Sequence, residues 1–315
     1  MNDTPLPVTI RDVGLRDGLQ ILARTVPTAH KIEWLRAAHA AGLRELELGS
    51  FVPARLLPQL ADTAALVEAA RALPGLVASV LVPNLKGAQA AIEAGADAML
   101  LPLSASRAHS LANLRKTPDE VVGEIARIRA LRDAAGSRCL IEVGISTAFG
   151  CTLQGRVDED EVLRLVQAVL DAGAERVGLA DTVGYADPLQ VARLFTRAFA
   201  VAGPRLGCGH FHDTRGLGLA NVFAAWQAGV RRFDACVGGI GGCPHAPGAS
   251  GNVATEDLAY LFASMGVPTG LDLHALLALR ERLAQRWLPG EALHGSVWRA
   301  GLPKTMTEAM AKETA

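Results

Sequence analysis

No excess of either charge marks this chain: 31 Lys and Arg stand against 32 Asp and Glu, for a formal net charge of -1. A surface for nucleic acid or an acidic membrane needs a basic surplus, so neither partner is expected. Long apolar runs are missing too; none approaches the ~20 residues that cross a bilayer. The opening MNDTPLPVTIRD lacks the basic start and apolar segment of a secretion signal. A soluble cytoplasmic protein is the resulting expectation. Paired cysteines are absent: Cys139, Cys151, Cys208, Cys236 and Cys243 are odd in number, and no two are spaced C-x-x-C. That argues against both a zinc knot and a disulfide framework. No low-complexity stretch or linker divides the 315 residues. No glycine-rich phosphate loop follows the first β-run, which disfavours an open doubly wound sheet.

What the chain does have is a repeated unit. Eight short apolar runs fall at 8–13, 43–48, 76–83, 97–103, 138–146, 175–181, 206–212 and 233–239. Segments with apolar residues at three- and four-residue steps separate them, as expected of helices packing one face. Thr117, Asp158 and Asp187 stand where N-caps belong, and Gly42, Gly95, Gly136, Gly173, Gly203 and Gly229 close the helical runs. Eight βα units over about 260 residues are the scale of a (β/α)8 TIM barrel. The barrel is expected over 1–270. The helical stretch 271–288 and the tail to 315 are read as a C-terminal helical extension that caps it, with a mobile tip AMAKETA.

A barrel enzyme works at the C-terminal ends of its strands, and polar residues gather there. GLRDGLQ after the first strand carries Arg16, Asp17 and Gln20. Glu47 ends the second strand, with Ser50 just beyond. The third leads to Pro83 and Asn84, and the fourth to Ser104, Ser106 and Arg107. Asp181 and Thr182 end the sixth, His210, His212 and Asp213 the seventh. GGIGGCPHAPGASGN after the eighth carries Cys243, His245 and Asn252. Residues i and i+2 of a strand share a face, so His210 and His212 can reach one ion. Asp17 is the candidate third ligand, although Asp-Gly is also a common turn pair. Two histidines, one carboxylate and open positions suit an octahedral Mn2+ or Mg2+, and the same set can hold zinc. Arg16 can neutralise a developing oxyanion. The glycine- and proline-rich loop reads as a lid, and a thiol on it can move a proton at a reacting carbon. Lys86 falls in the first turn of a helix and is expected to point outward rather than form a Schiff base.

GLRDGLQ, ELELGSF, VPNLKGAQAAIEAGAD, GLADTVG, HFHDTRGLGLAN and GGIGGCPHAPGASGNVATEDLAYL together resemble the 3-hydroxy-3-methylglutaryl-CoA lyase family of metal-dependent TIM-barrel lyases, over nearly the whole chain. The resemblance implies metal ligands at Asp17, His210, His212 and Asn252, Arg16 at the substrate carbonyl, and Cys243 as the loop acid. Glu47 and Asp181 become proton-relay or supporting groups, with His210 or Asp181 as base, and Gln20, Ser50 and Thr182 line the substrate pocket. The implied reaction is retro-Claisen cleavage of a 3-hydroxyacyl-CoA, giving acetoacetate or another ketone or keto acid plus acetyl-CoA. The implied partner is the acyl-CoA substrate; separately, an exposed C-terminal helix leads to the expectation of a homodimer. The alternative is a related Claisen-type acyl synthase or a metal-dependent aldolase acting on a different 3-hydroxy acid; the synthases share the Arg-Asp-Gly and H-x-H features but lack the GGCP loop. The chain departs from the family at the periphery. Ile21, Leu22 and Ala23 stand where Asn-Glu-Lys is usual, leaving Arg24 as the nearest cation for the CoA end. Arg107–His109 and His245 differ as well. The cleavage chemistry is therefore expected to match the family more closely than the choice of acyl group.

Overall fold

The computed structural model describes residues 6–242 and 251–306. Eight parallel strands close into a barrel in sequence order: β1 (Thr9–Asp12), β2 (Glu45–Ser50), β3 (Val77–Leu81), β4 (Ala98–Ser104), β5 (Leu140–Ser146), β6 (Arg176–Asp181), β7 (Leu206–Phe211) and β8 (Arg232–Ala235). Closure is made by β1 against β8, from Thr9 opposite Arg232 to Asp12 opposite Ala235. Outside lie α1 (Thr28–Ala40), α2 (Thr63–Ala70), α3 (Leu85–Ala94), α4 (Arg107–Leu114), α5 (Pro118–Ala134), α6 (Glu159–Asp171), α7 (Pro188–Ala202), α8 (Gly218–Gln227) and α9 (Thr255–Ser264). Two further helices, α10 (Leu273–Arg282) and α11 (Val297–Ala300), follow the barrel. No helix among the described residues is long and apolar enough to cross a membrane.

Local chemistry explains the boundaries. Thr117 caps α5 in a reciprocal box with Glu120. Asp158 and Asp187 cap α6 and α7 through the N–H groups of Asp160, and of Leu189 and Gln190. Gly95 ends α3 at φ 76, a left-handed conformation that needs no Cβ. On α6 the stripe Val162, Leu165, Val166, Val169 and Leu170 is buried, each worth about 1.5–3 kcal/mol of transfer free energy.

Three expectations are corrected. The segment 53–73 is not one helix: Pro58 begins a separate 3-10 turn, Pro58–Leu60, before α2. The eighth strand stops at Ala235, because Gly238 takes φ 73 inside the turn Val237–Gly239. Helix α4 was not among the expected helices; Ser106 starts it by accepting from the His109 N–H.

Charge inside the barrel is paired. Glu142 on β5 meets Arg11 Nη2 at 3.1 Å and Arg232 Nη1 at 2.5 Å. Arg232 also binds Glu45. Arg11 and Glu142 are each 1% exposed, so an unpaired member of this chain would be strongly destabilising. Burial works to raise the Glu142 carboxyl, but Arg11 and Arg232 outweigh it and hold it below its ordinary value. The segment after α10 is fastened to α1, where Trp287 stacks on Trp34 at 6.2 Å and Arg286 pairs with Glu33 at 2.9 Å. The tip AMAKETA lies outside the described residues.

Candidate metal centre

Beyond β1 the chain makes one wide helical turn, Gly14–Gly18, in which the N–H groups of Arg16, Asp17 and Gly18 all reach the Val13 carbonyl. Such π turns concentrate at functional sites. Glycine at both ends is a packing requirement. A Cβ on Gly14 would lie 2.6 Å from Trp34, and one on Gly18 2.8 Å from Ile240. The compact turn buries Arg16 and Asp17, at 8% and 5% exposure.

One strand beyond β8, at the end of β7, strand periodicity places His210 and His212 together, with ring centroids 5.1 Å apart. An antiparallel bridge brings Asn252 to His212. One ligand atom from each of Asp17, His210 and His212 can be chosen so that all lie within 4.8 Å of one another. Asn252 Nδ2 donates to Asp17 Oδ2 at 2.7 Å and to the Ile240 carbonyl at 3.0 Å. Gly241 sits directly over this set. A Cβ there would be 2.3 Å from Asn252 Nδ2 and 2.7 Å from Asp17 Oδ2.

The donors fit a divalent cation. Asn252 Oδ1 and His212 Nδ1 are buried without a hydrogen-bond partner, and buried polar atoms are rarely left so. Burial and neighbouring His210 push His212 down to about 4, which keeps its imidazole neutral. Burial acts to raise Asp17, yet Arg16, the two histidines and the Asn252 amide hold it below its ordinary value, as the anion a cation requires. His210 Nδ1 stands 3.1 Å from Asp234 Oδ2, the carboxylate–histidine arrangement that leaves Nε2 as the ligand nitrogen.

Asp234 had not been singled out in the sequence. It accepts from Arg11 Nε at 2.7 Å and Nη2 at 3.0 Å, joining the buried ion chain to His210. Burial opposes its charge, but Arg11 and His210 hold it well below the usual carboxylate range. The available signal was a charged residue within the apolar run FDACVGG, since buried charge needs a partner. Asp12 is a second omission. It accepts from Gly14 N–H at 2.9 Å, Val237 N–H at 2.8 Å and Thr255 Oγ1 at 2.7 Å, tying the Arg-Asp turn to the end of β8. Thr147 is a third, held at φ 55 after β5. Its N–H donates to Thr182 Oγ1 at 2.8 Å, and its own Oγ1 accepts from Ser106 N–H at 3.0 Å.

The other expected residues are arranged as follows. Arg16 lies between Asp17 Oδ1, 2.5 Å from Nη1, and Glu47 Oε2, 2.7 Å from Nε. Glu47 is fully buried, and burial raises its carboxyl despite Arg16 and Arg11. Gln20 donates to Asp17 Oδ1 at 2.9 Å and to the Gly242 carbonyl at 3.2 Å, linking the first motif to the glycine loop. Asp181 accepts from the Tyr185 and Ala186 N–H groups, and burial raises its carboxyl. Ser50 Oγ donates to the Leu81 carbonyl at 3.2 Å. Cys243 and His245 lie outside the described residues. Arg24 is drawn away from the site, pairing with Glu291 at 3.2 Å and donating to the Trp287 carbonyl at 3.4 Å.

Comparison with known proteins agrees with this geometry. The HMGL-like family model matches residues 7–283. An (R)-citramalyl-CoA lyase of Chloroflexus aurantiacus is 41% identical, over 93% of this chain and 95% of its own length. A hydroxymethylglutaryl-CoA lyase of Bacillus subtilis is 36% identical, over 90% of this chain and 93% of its own. Among solved structures, an HMG-CoA lyase from Acinetobacter baumannii in complex with coenzyme A and 3-methylmalate superposes with a TM-score of 0.90 at 38% identity, covering 96% of this chain and 98% of that one. The chain belongs to the HMGL-like family, and it is a carbon–carbon lyase.

Proposed function

We propose that the chain cleaves a short, branched 3-hydroxyacyl-CoA by a retro-Claisen reaction at a Mg2+ or Mn2+ centre formed by Asp17, His210, His212 and Asn252. The observation that carries this reading is the convergence of Asp17, His210 and His212 at the catalytic end of the barrel, with Arg16 in contact with Asp17. A bound divalent ion would supply Lewis acidity toward the substrate oxygens. The chain's own groups do the rest. Asp234 orients His210, so His210 serves as a ligand, and Asp181, with its raised carboxyl, takes the hydroxyl proton through a water. Breaking the C–C bond releases a ketone or keto acid and leaves a thioester enolate. Arg16, anchored by Glu47, faces that negative charge, and Cys243 returns a proton to the enolate carbon, giving acetyl-CoA. Gln20, Ser50 and Thr182 border the acyl group.

HMG-CoA and citramalyl-CoA are two of the acyl types named for the relatives. Both carry a tertiary 3-hydroxyl, which this chemistry needs. Turnover across a panel of 3-hydroxyacyl-CoAs, including these two and longer branched homologues, tests the reading. Tertiary 3-hydroxyacyl thioesters are expected to be cleaved and 3-deoxy analogues left intact. Condensation of acetyl-CoA with a keto acid and no cleavage of any member would instead indicate a synthase. A homodimer is part of the same reading, and light scattering of the purified protein gives its mass.

A further inference from the structure

The wall of the barrel from β3 to β6 carries a pattern that the metal ligands and proton-moving groups leave unexplained. Glu142 on β5 points into the barrel, where it meets Arg11 and Arg232. Alternation puts Gly144 and Ser146 on the same inward face, nearer the mouth. Parallel register sets Leu100 of β4 beside Glu142, Pro102 beside Gly144, and Leu81 of β3 beside Leu100. On β6, Ala180 lies beside His210 and faces inward with it. A barrel interior is normally filled by side chains. Here the inward Leu81, Pro102, Gly144, Ser146 and Ala180 are all half-buried, while the outward Leu103, Val143, Ile145 and Leu179 are buried. The inward face of this wall therefore borders open space. None of its five half-buried residues is charged, and Ser146 Oγ donates to the Leu103 carbonyl at 3.1 Å.

Gly144 is the gap in this wall. Glycine weakens a strand interior and marks a bulge, a tight bend or the close approach of another group. Neither of the first two applies. Gly144 does not take a positive φ, and its pairing with Pro102 and Gly178 continues an unbroken register on both sides. Close approach by the protein itself does not apply either. Within 4 Å a Cβ there would meet only Leu100 Cδ1, at 3.6 Å, an ordinary contact. Its neighbour Gly178 differs, because a Cβ on that residue would lie 3.0 Å from the Cys208 carbonyl oxygen. The space beside Gly144 thus serves a group that the chain does not supply.

In the closed barrel β5 stands four strands from β1 in either direction, so Gly144 lies across the mouth from the Arg16–Asp17 turn. Retro-Claisen cleavage divides the acyl group into an enolate half, which Arg16 faces, and a ketone half. The ketone half then points toward the wall of β4 and β5. That wall offers no cation, so it suits an alkyl group rather than a carboxylate. We propose that the recess at Gly144 receives the alkyl branch carried by C3 of the acyl group and admits branches longer than methyl. Gly144 is then a specificity-determining residue, because the side chain it lacks sets the length of branch that fits. The proposal rests on the retro-Claisen reading above.

Two pairs of thioesters test it. The methyl- and butyl-branched 3-hydroxyglutaryl-CoAs are followed by acetyl-CoA release, and their 3-deoxy analogues are titrated calorimetrically, so that binding is read without turnover. The wild type is expected to cleave both hydroxy esters and to bind both analogues. In Gly144→Val the butyl compounds should lose about 10–200-fold, in kcat/KM and in affinity, relative to the methyl ones, as when an apolar pocket loses room for a methylene. Gly144→Ala, whose Cβ makes an ordinary contact, keeps the fold and should move the same ratio in the same direction by less. Equal losses for both branch lengths, or an unmoved ratio in both variants, overturn the recess. So does a wild type that cleaves the methyl ester and rejects the butyl ester. A wild type that cleaves neither hydroxy ester overturns the retro-Claisen reading, and the recess with it.

Discussion

Replacing Asp234 by Asn separates the support of the metal centre from the fold. Asp234 lies between Arg11, at 2.7 and 3.0 Å, and His210, at 3.1 Å. Asn keeps the shape and one acceptor but loses the charge, and its amide donates. Facing His210 Nδ1, that amide favours the tautomer with the proton on Nε2, the atom a cation needs. Loss of such a supporting carboxylate typically costs 10–100-fold in metal affinity, or about 1.4–2.8 kcal/mol. Arg11 would keep Glu142 at 3.1 Å, so the stability loss falls at the low end of a broken buried pair, about 3 kcal/mol. For a chain of this size that is a drop of roughly 6 °C in Tm. Glu142→Gln is the control, because it disturbs Arg11 and Arg232 without touching His210. Metal affinity is read by competition with a chelating dye, and stability by thermal melting. D234N is expected to lose both, E142Q stability only. Wild-type metal affinity in D234N, or an equal affinity loss in E142Q, would refute the reasoning.

Other outcomes follow from the same geometry. Gly241→Ala puts a Cβ 2.3 Å from Asn252 Nδ2 at φ 128; metal affinity should fall more than about tenfold, and unchanged affinity by dye competition contradicts the close approach. Cys243→Ala is expected to lower turnover by about 10²–10⁴-fold with metal content unchanged by elemental analysis; unaltered turnover removes the thiol from the mechanism. Burial pushes the Glu256 carboxyl up to about 8, so the folded state holds a proton that the unfolded state releases near its ordinary carboxylate value. Its effect on stability is nil at low pH and grows unfavourable as pH rises toward 8. The Tm of Glu256→Gln relative to wild type should therefore rise between pH 6 and pH 9; a constant difference contradicts the shift.

The barrel was legible in the sequence because each unit is punctuated. A cap such as Thr117 or Asp187 and a closing glycine such as Gly95 mark both ends of a helix by local rules. Where tertiary context decided, the sequence was silent. RAHSLANL shows no strong apolar stripe, so α4 went unread despite its Ser106 cap. Asp17, His210 and His212 stood out because their types and strand-end positions are unusual. Asp234 and Asp12 did not, since their partners, Arg11 and Thr255, are 223 and 243 residues away along the chain. Arg24 shows the converse. Proximity to Gln20 in sequence suggested a role at the CoA end, but Glu291, from beyond the barrel, captures it.

The central claim is that a divalent ion in this centre breaks a C–C bond. The most direct test is to strip the protein with EDTA, dialyse, and follow acetyl-CoA release from HMG-CoA and citramalyl-CoA before and after adding Mn2+ or Mg2+. The account predicts no release from the stripped protein, recovery on adding either ion, and no recovery in His212→Ala. Full cleavage by the metal-free protein, or no cleavage of either thioester after metal is restored, would contradict it.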